Sequence, residues 1–346
     1  MVGEESRSAD ADAPLTLSRA WRVWAAENLL RGVSRAELLA GLMAQDVPRA
    51  EAEARLDELT RSPAFAAATA LARRVQQLEL VLELQSRLAE ESPDGDAVER
   101  RRDAVAPDEF YRRYYAGNTP VVLGRFADGW PALTRWRPEY FKDRFGDVEI
   151  EVASGRAGAP DPDINFQRHR ETVTMAAYVD RVLALGASND LYAIANNRNT
   201  ARAGLQPLWE DIAPPPGYLD AARLPGASAL WFGPAGTITP LHHDTSNILF
   251  VQILGRKRIY LGPPRSRALL ATARGVYNHA DCERLDAGAR RDAGVRELVL
   301  APGETLFIPV GWWHQVRALE LSVSLGLNNL RRPNTYDWYK PGALAG

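Results

Sequence analysis

The chain has 346 residues, 46% of them hydrophobic and 25% charged, which is ordinary for a folded protein of one or two domains with a sizeable core. Its formal net charge of -2 gives no global basic field, so nucleic acid is not an expected partner, although the positive charge is almost all arginine and a local basic patch is compatible with it. Cys282 is the only cysteine, which excludes an intrachain disulfide, a cysteine-based zinc site and an iron–sulfur cluster and fits a reducing cytoplasm.

Residues Met1 to Pro14 are acidic and polar and lack the basic and apolar regions of a signal peptide. No apolar run reaches the ~20 residues of a membrane span. The expectation is a soluble, unprocessed, cytoplasmic protein with no membrane partner.

Residues 1–92 read as a helical N-terminal domain. Ser34 followed by Glu37 is a capping-box signature ahead of Leu38, Leu39 and Leu42. Val47-Pro48 opens a second helical segment through Leu59. Ser62-Pro63 opens another, with serine as N-cap and proline at the first helical position, and nothing breaks it before about Glu91. Within it Leu71, Val75, Leu78 and Leu82 form a seam at coiled-coil spacing that Gln85 ends early. Two readings follow: a core-facing stripe of the helical domain, or the contact of a homodimer.

Residues 93–107 carry proline, glycine and charge without periodicity and read as a linker. From 108 to 346 the texture changes to short β-rich runs between turn residues: Pro120–Leu123, Val148–Val152, Leu191–Ile194, Ala229–Phe232, Ile248–Leu254, Arg258–Leu261, Glu297–Leu300, Thr305–Ile308 and Leu321–Leu327. Strands at this spacing predict a mainly β sandwich or barrel.

Three of the five histidines lie in two conspicuous segments, Thr239-Pro240-Leu241-His242-His243-Asp244 and Gly303 through Trp312-Trp313-His314. In an extended His-x-Asp segment the first and third side chains share a face and the second points away. His242 and Asp244 would therefore converge, and His314 from a distant strand would complete a 2-His-1-carboxylate face. That set leaves positions open on the metal and suits non-haem Fe(II) oxygen chemistry. His-x-Asp alone is a weak signal; its conjunction with an Ile-Pro-x-x-Trp-Trp-His run 72 positions later is a strong one. His169 and His279 have no motif around them and read as structural or surface residues.

The segments TPLHHD, FVQILGRKRIYLGPP, GETLFIPVGWWHQV and LSVSLGLNN, with PVVLGRFADGWPALTRW upstream, resemble the JmjC-domain, cupin-like Fe(II)/2-oxoglutarate-dependent oxygenases, including the asparaginyl hydroxylase that acts on hypoxia-inducible factor. The resemblance covers roughly residues 105–335 and leaves the helical N-terminal part unmatched. It implies a jelly-roll double-stranded β-helix over residues 108–346, with iron held by His242, Asp244 and His314. It implies further that Lys257 pairs with the distal carboxylate of 2-oxoglutarate, that Thr239 bonds the same carboxylate, and that Asn329 and Tyr192 lie near the co-substrate. Lysine at 257 is informative, because the chain has only three lysines and a compact ammonium fits a narrow barrel where a guanidinium fork would not. Many members carry an asparagine four residues after the metal aspartate; here that position is Ile248, and Asn247 precedes it. Of Trp312 and Trp313, one is expected in the core and the other against the active site.

The implied reaction couples conversion of 2-oxoglutarate and O2 into succinate and CO2 to hydroxylation of an amino-acid side chain in a protein or peptide. Alternatives are a natural-product or small-molecule hydroxylase, an N-methyl demethylase and a non-catalytic cupin-like binding module. A zinc- or manganese-dependent isomerase or hydrolase would have no use for Lys257 and Thr239.

Overall fold

The structure is a computed structural model that describes residues 19–91 and 97–337. Two compact units divide between Leu84 and Gln85.

In the first unit, helices α1 (Arg19–Leu30), α2 (Arg35–Met43) and α3 (Arg49–Arg61) bury Ala25, Leu38, Leu42, Ala52 and Leu56 against one another. The capping box at Ser34 is formed: its hydroxyl accepts from the Glu37 amide, and the Glu37 carboxylate accepts from the Ser34 amide at 2.9 Å. Helix α4 (Pro63–Glu90) starts where the sequence places it, with the Ser62 hydroxyl accepting from the Phe65 amide at 3.1 Å. None of its described side chains is buried. Leu71, Val75 and Leu78 are 64%, 54% and 61% exposed, so the seam is not the core stripe of this unit. Helices α1–α3 already close a core without it.

The second unit contains fourteen strands among the described residues. One sheet has the order β1 (Glu99–Arg101), β2 (Val121–Leu123), β12 (Thr305–Ile308), β7 (Ile248–Leu254), β14 (Ser322–Leu327), β5 (Ser228–Gly233). The other runs β11 (Arg296–Leu300), β8 (Lys257–Gly262), β13 (Trp313–Ala318), β6 (Ile238–His242), β10 (Tyr277–Asn278), β9 (Ala273–Arg274). Strands β3 (Glu149–Ala153) and β4 (Arg170–Thr174) form a separate hairpin. Within the two large sheets every pairing is antiparallel except β1 with β2.

Strand β7 shows how the sequence places the sheets. Leu249, Val251 and Ile253 enter a core with Phe141, Tyr178 and Val179, which lie on helices Pro138–Phe145 and Met175–Leu185. Ile248 and Phe250 enter a second core, shared with Ile259, Leu261, Leu298 and Val316 of the other sheet. The period of two along a strand buried on both faces produces this division. At the turn into β8, Gly255 has φ +68°, and a Cβ there would lie 2.2 Å from the Leu321 carbonyl oxygen, so only glycine fits.

Three expectations need correction. The segment 93–107 is not purely a linker: β1 lies within it, held by parallel pairing to β2 and by ion pairs from Arg100 to Glu304 and Arg101 to Glu109. Leu191–Ile194 is not a strand. Tyr192 bridges to Ala153 and Ala193 to Phe232, so successive residues bind different neighbours and no ladder forms. Neither Trp312 nor Trp313 walls the metal cavity. Trp312 packs between the two sheets and donates its indole N–H to Asn118, while Trp313 packs with Leu241, Tyr260 and Cys282.

Candidate metal and co-substrate site

Strands β6 and β13 are neighbours, and their antiparallel register sets His242 directly opposite His314. The two imidazole centroids are 4.1 Å apart. Asp244 follows two residues later, its carbonyl accepting from the Gly311 amide at 3.1 Å. Its carboxylate lies 3.7 Å from His314 Nε2. One ligand atom from each of His242, Asp244 and His314 falls within 4.8 Å of the others. His243, between them, turns its ring edge-on to Trp313.

Second contacts fix which nitrogen faces the centre. His242 Nδ1 donates to the Pro240 carbonyl at 2.8 Å and His314 Nδ1 donates to the Trp312 carbonyl at 3.0 Å. Each ring therefore keeps its Nε2 lone pair free for a metal. Burial, with His242 close by, pushes His314 down to about 4, so it is neutral and ligand-competent at pH 7. Two imidazoles and one carboxylate suit a divalent first-row ion with positions left open.

A cavity of about 300 Å³ extends from the triad and is lined also by Thr239, Tyr192 and Lys257. Lys257, the first residue of β8, is 0% exposed. Among the described residues its ammonium has no carboxylate partner. It donates to Tyr192 Oη at 3.2 Å and lies 5.3 Å from the Phe250 ring centroid. Burial pushes it down to about 7. Burial also raises the Tyr192 phenol, with the Thr239 hydroxyl beside it acting in the other direction. A buried, unpaired cation facing a cavity is stable as a charge only when an anion arrives. A dicarboxylate with its chelating end at the triad and its far carboxylate at Lys257, Thr239 and Tyr192 matches this donor set.

Six of the seven residues singled out from the sequence thus meet around one cavity. Asn329 does not. It is fully buried one position beyond the lining residue Asn328, and its side-chain amide donates to the Asp220 carbonyl at 2.7 Å. Ile248 faces the cavity, while Asn247 accepts from the Val310 amide at 2.9 Å and donates to Asn334, so Asn247 makes no contact in the cavity. Sequence reasoning missed Asp163, Trp231 and Tyr277, which also line the cavity. Asp163 is paired with the buried Arg156 at 2.9 Å. No local motif marks this pair, because both residues sit in the irregular segment between β3 and β4.

Comparison with known proteins agrees with this geometry. The cupin-like domain family matches residues 107–329. Lysine-specific demethylase JMJ30 of Arabidopsis thaliana is 30% identical over 65% of this chain and 53% of its own length. The 2-oxoglutarate and iron-dependent oxygenase JMJD4 of Mus musculus is 25% identical over 71% of this chain and 64% of its own. The bifunctional peptidase and (3S)-lysyl hydroxylase JMJD7 of Homo sapiens is 22% identical over 61% of this chain and 77% of its own. The chain spans about half the length of the plant protein. Among the described residues no helix is long and apolar enough to cross a membrane. A triad built on β6 and β13, a buried lysine across the cavity from it and these matches agree: the chain belongs to the cupin-like, JmjC-type family of iron- and 2-oxoglutarate-dependent oxygenases.

Proposed function

We propose that this protein hydroxylates an amino-acid side chain of a protein or peptide, with Fe(II) and 2-oxoglutarate as cofactor and co-substrate and succinate and CO2 as co-products. The observation that carries the reading is Lys257, a buried ammonium without a counter-charge in the same cavity as the triad. His242, Asp244 and His314 would hold the iron. Iron at such a site, with 2-oxoglutarate as electron donor, supplies oxidation of an unactivated C–H bond by O2. The chain's own residues do the placing. Lys257, Thr239 and Tyr192 anchor the far carboxylate, the Nδ1–H bonds keep both imidazoles in the ligating tautomer, and Ile248, Phe250 and Ile308 exclude water from one wall. The demethylase named among the relatives favours a second reading, the same oxidation directed at an N-methyl group.

Under the same proposal the two six-stranded sheets, which share a core, form the double-stranded β-helix barrel of the family, and the setting is cytoplasmic. A second copy of the chain would cover the exposed stripe of α4. Val75 at an a position with Leu71 and Leu78 at d positions favours two parallel strands, and Arg74 at g then faces Glu79 at e of the other copy.

The test is anaerobic titration of Fe(II) with 2-oxoglutarate, following the weak visible charge-transfer band of the iron–keto-acid chelate. Wild type is expected to show the band, and His242→Ala and Lys257→Ala to lose or weaken it. A folded, metal-loaded wild type without the band sinks the reading. Release of formaldehyde on turnover, in place of a stable hydroxylated product, would select demethylation.

A further inference from the structure

On one side the metal cavity is bounded by Ala195 and Asn196, which open a segment, residues 195–202, that is held firmly from beneath. Asn197 accepts from the Ile194 amide at 2.8 Å and donates to the Glu151 carboxylate at 3.0 Å. Asn199 accepts from the Glu151 amide at 3.0 Å and donates to its carbonyl at 2.7 Å. The Thr200 hydroxyl donates to the Ser228 carbonyl at 2.8 Å. All three anchors are buried, whereas Asn196 and Arg198 are exposed and Arg202 is half-buried. Arg198 takes φ +52°, an uncommon conformation for a residue other than glycine, and it does so between anchored neighbours.

Three hollows meet along this ridge. Ala195 and Asn196 border both the metal cavity and a second hollow of about 610 Å³, which also carries Arg170, Arg198 and Arg202. Ala195 and Asn328 border both the metal cavity and a third hollow of about 420 Å³, in which Arg198 is the one charged lining residue. Arg170 is committed to Glu151, the single carboxylate in the second hollow. Arg202 donates to Asn199 Oδ1 at 3.1 Å and acts on the Glu151 carboxylate through space, without a direct ion pair. Arg198 has no ion pair or side-chain hydrogen bond among the described residues. On this braced ridge Arg198 therefore lacks a counter-charge, while Arg202 and Arg170 share the one carboxylate of Glu151, which leaves an excess of positive charge next to the metal cavity in a chain of net charge -2.

We propose that Arg198 and Arg202 form a subsite for carboxylate side chains, so that the protein selects acidic peptides, with aspartate or glutamate flanking the residue presented to the metal. A guanidinium fork matches a carboxylate in two-point geometry, and the excess of positive charge beside the cavity steers an acidic segment toward it while disfavouring a basic one. The bracing by Asn197, Asn199 and Thr200 means that little order has to be gained on binding. The inference rests on the reading of the metal cavity as the oxygenase centre.

The experiment measures fluorescence anisotropy of labelled short peptide pools with the full chain at low salt. The pools share randomised small and apolar positions and differ only in carrying glutamate, glutamine or lysine between them. The glutamate pool is expected to bind about tenfold more tightly than the glutamine pool, the size of two partly exposed charge pairs. Arg198→Gln with Arg202→Gln should abolish the difference, and Arg198→Glu should shift preference toward the lysine pool, which loss of fold cannot do. Equal binding of the glutamate and glutamine pools to wild type overturns the proposal, as does a glutamate preference that survives in the variants. A single-stranded oligonucleotide of equal length that outcompetes the glutamate pool also overturns it, because the ridge is then a phosphate site. Binding of 2-oxoglutarate to the same wild-type sample separates the two readings. A glutamate preference without 2-oxoglutarate binding upholds the subsite and removes the oxygenase.

Discussion

At the scale of the residue, the triad was legible because its members are announced locally, by His-x-Asp and by the Trp-Trp-His run. Lys257 was legible because lysine is scarce in this chain. Asn329 and Asn247 were not, since which face a side chain takes at the end of a strand depends on a register that one residue can reverse. Lys257 also has a measurable acid–base signature. Its ammonium sits at about 7 in the fold and near ~10.4 in an unfolded chain. Between those values the unfolded chain binds a proton that the folded one does not, so stability without ligand rises with pH across that window and levels off below it. A dicarboxylate requires the charged form. Above pH 7, binding of 2-oxoglutarate must therefore take up a proton at Nζ, and affinity should fall by up to about tenfold per pH unit. Calorimetry in two buffers of different ionisation enthalpy is expected to register this uptake at pH 8, and Lys257→Met to abolish both uptake and binding. The same variant should melt higher than wild type, because replacing a buried charge by an aliphatic chain stabilises by on the order of 1 kcal/mol or more. A lower melting temperature would mean that Lys257 is not strained in the free protein.

At the scale of the element, strands with continuous apolar runs or clean turn signals were readable, and β7, β12 and β14 formed where their residues predicted. Strand β13 was not among the β-rich runs picked out by pattern, although His314 was expected on a strand, since Trp-Trp-His-Gln follows a turn at Gly311 and does not alternate apolar with polar. Strands β9 and β10 have two residues each, too few to show a period. Strand β1 is held by its pairing to β2 and by the ion pair of Arg100 with Glu304, a partner 204 positions along the chain. The turn at Gly255 links element to site, because Lys257 is two residues away. Gly255→Ala should destabilise by roughly 2 kcal/mol or more, from the left-handed conformation and the clash with Leu321. It should also weaken 2-oxoglutarate binding. Chemical denaturation and a binding isotherm on the same sample check both, and an unchanged midpoint would mean that the turn can rearrange.

At the scale of the whole molecule, the change from helical to β texture was visible in composition, whereas the boundary between the two units at Leu84 and Gln85 falls inside a helix that nothing in the sequence interrupts. What covers α4 was not legible either, because the same spacing serves a core and a dimer. Exposure of Leu71, Val75 and Leu78 favours the dimer. Sedimentation should give a mass of two chains for wild type and of one for Leu78→Glu, with 2-oxoglutarate binding unchanged. A wild type that sediments as a single chain at high concentration removes that part of the proposal.

Cys282, which packs beside Trp313, is 0% exposed, and burial pushes its thiol up to about 12. Under the proposed iron and dioxygen chemistry the protein thus offers no reactive thiolate to stray peroxide, and loss of activity during turnover should not be reversed by dithiothreitol. The same seclusion leaves the surface without competing thiols. A cysteine placed at Asn196 would then be the single group a maleimide dye can reach, and its emission would report the arrival of substrate at the ridge directly.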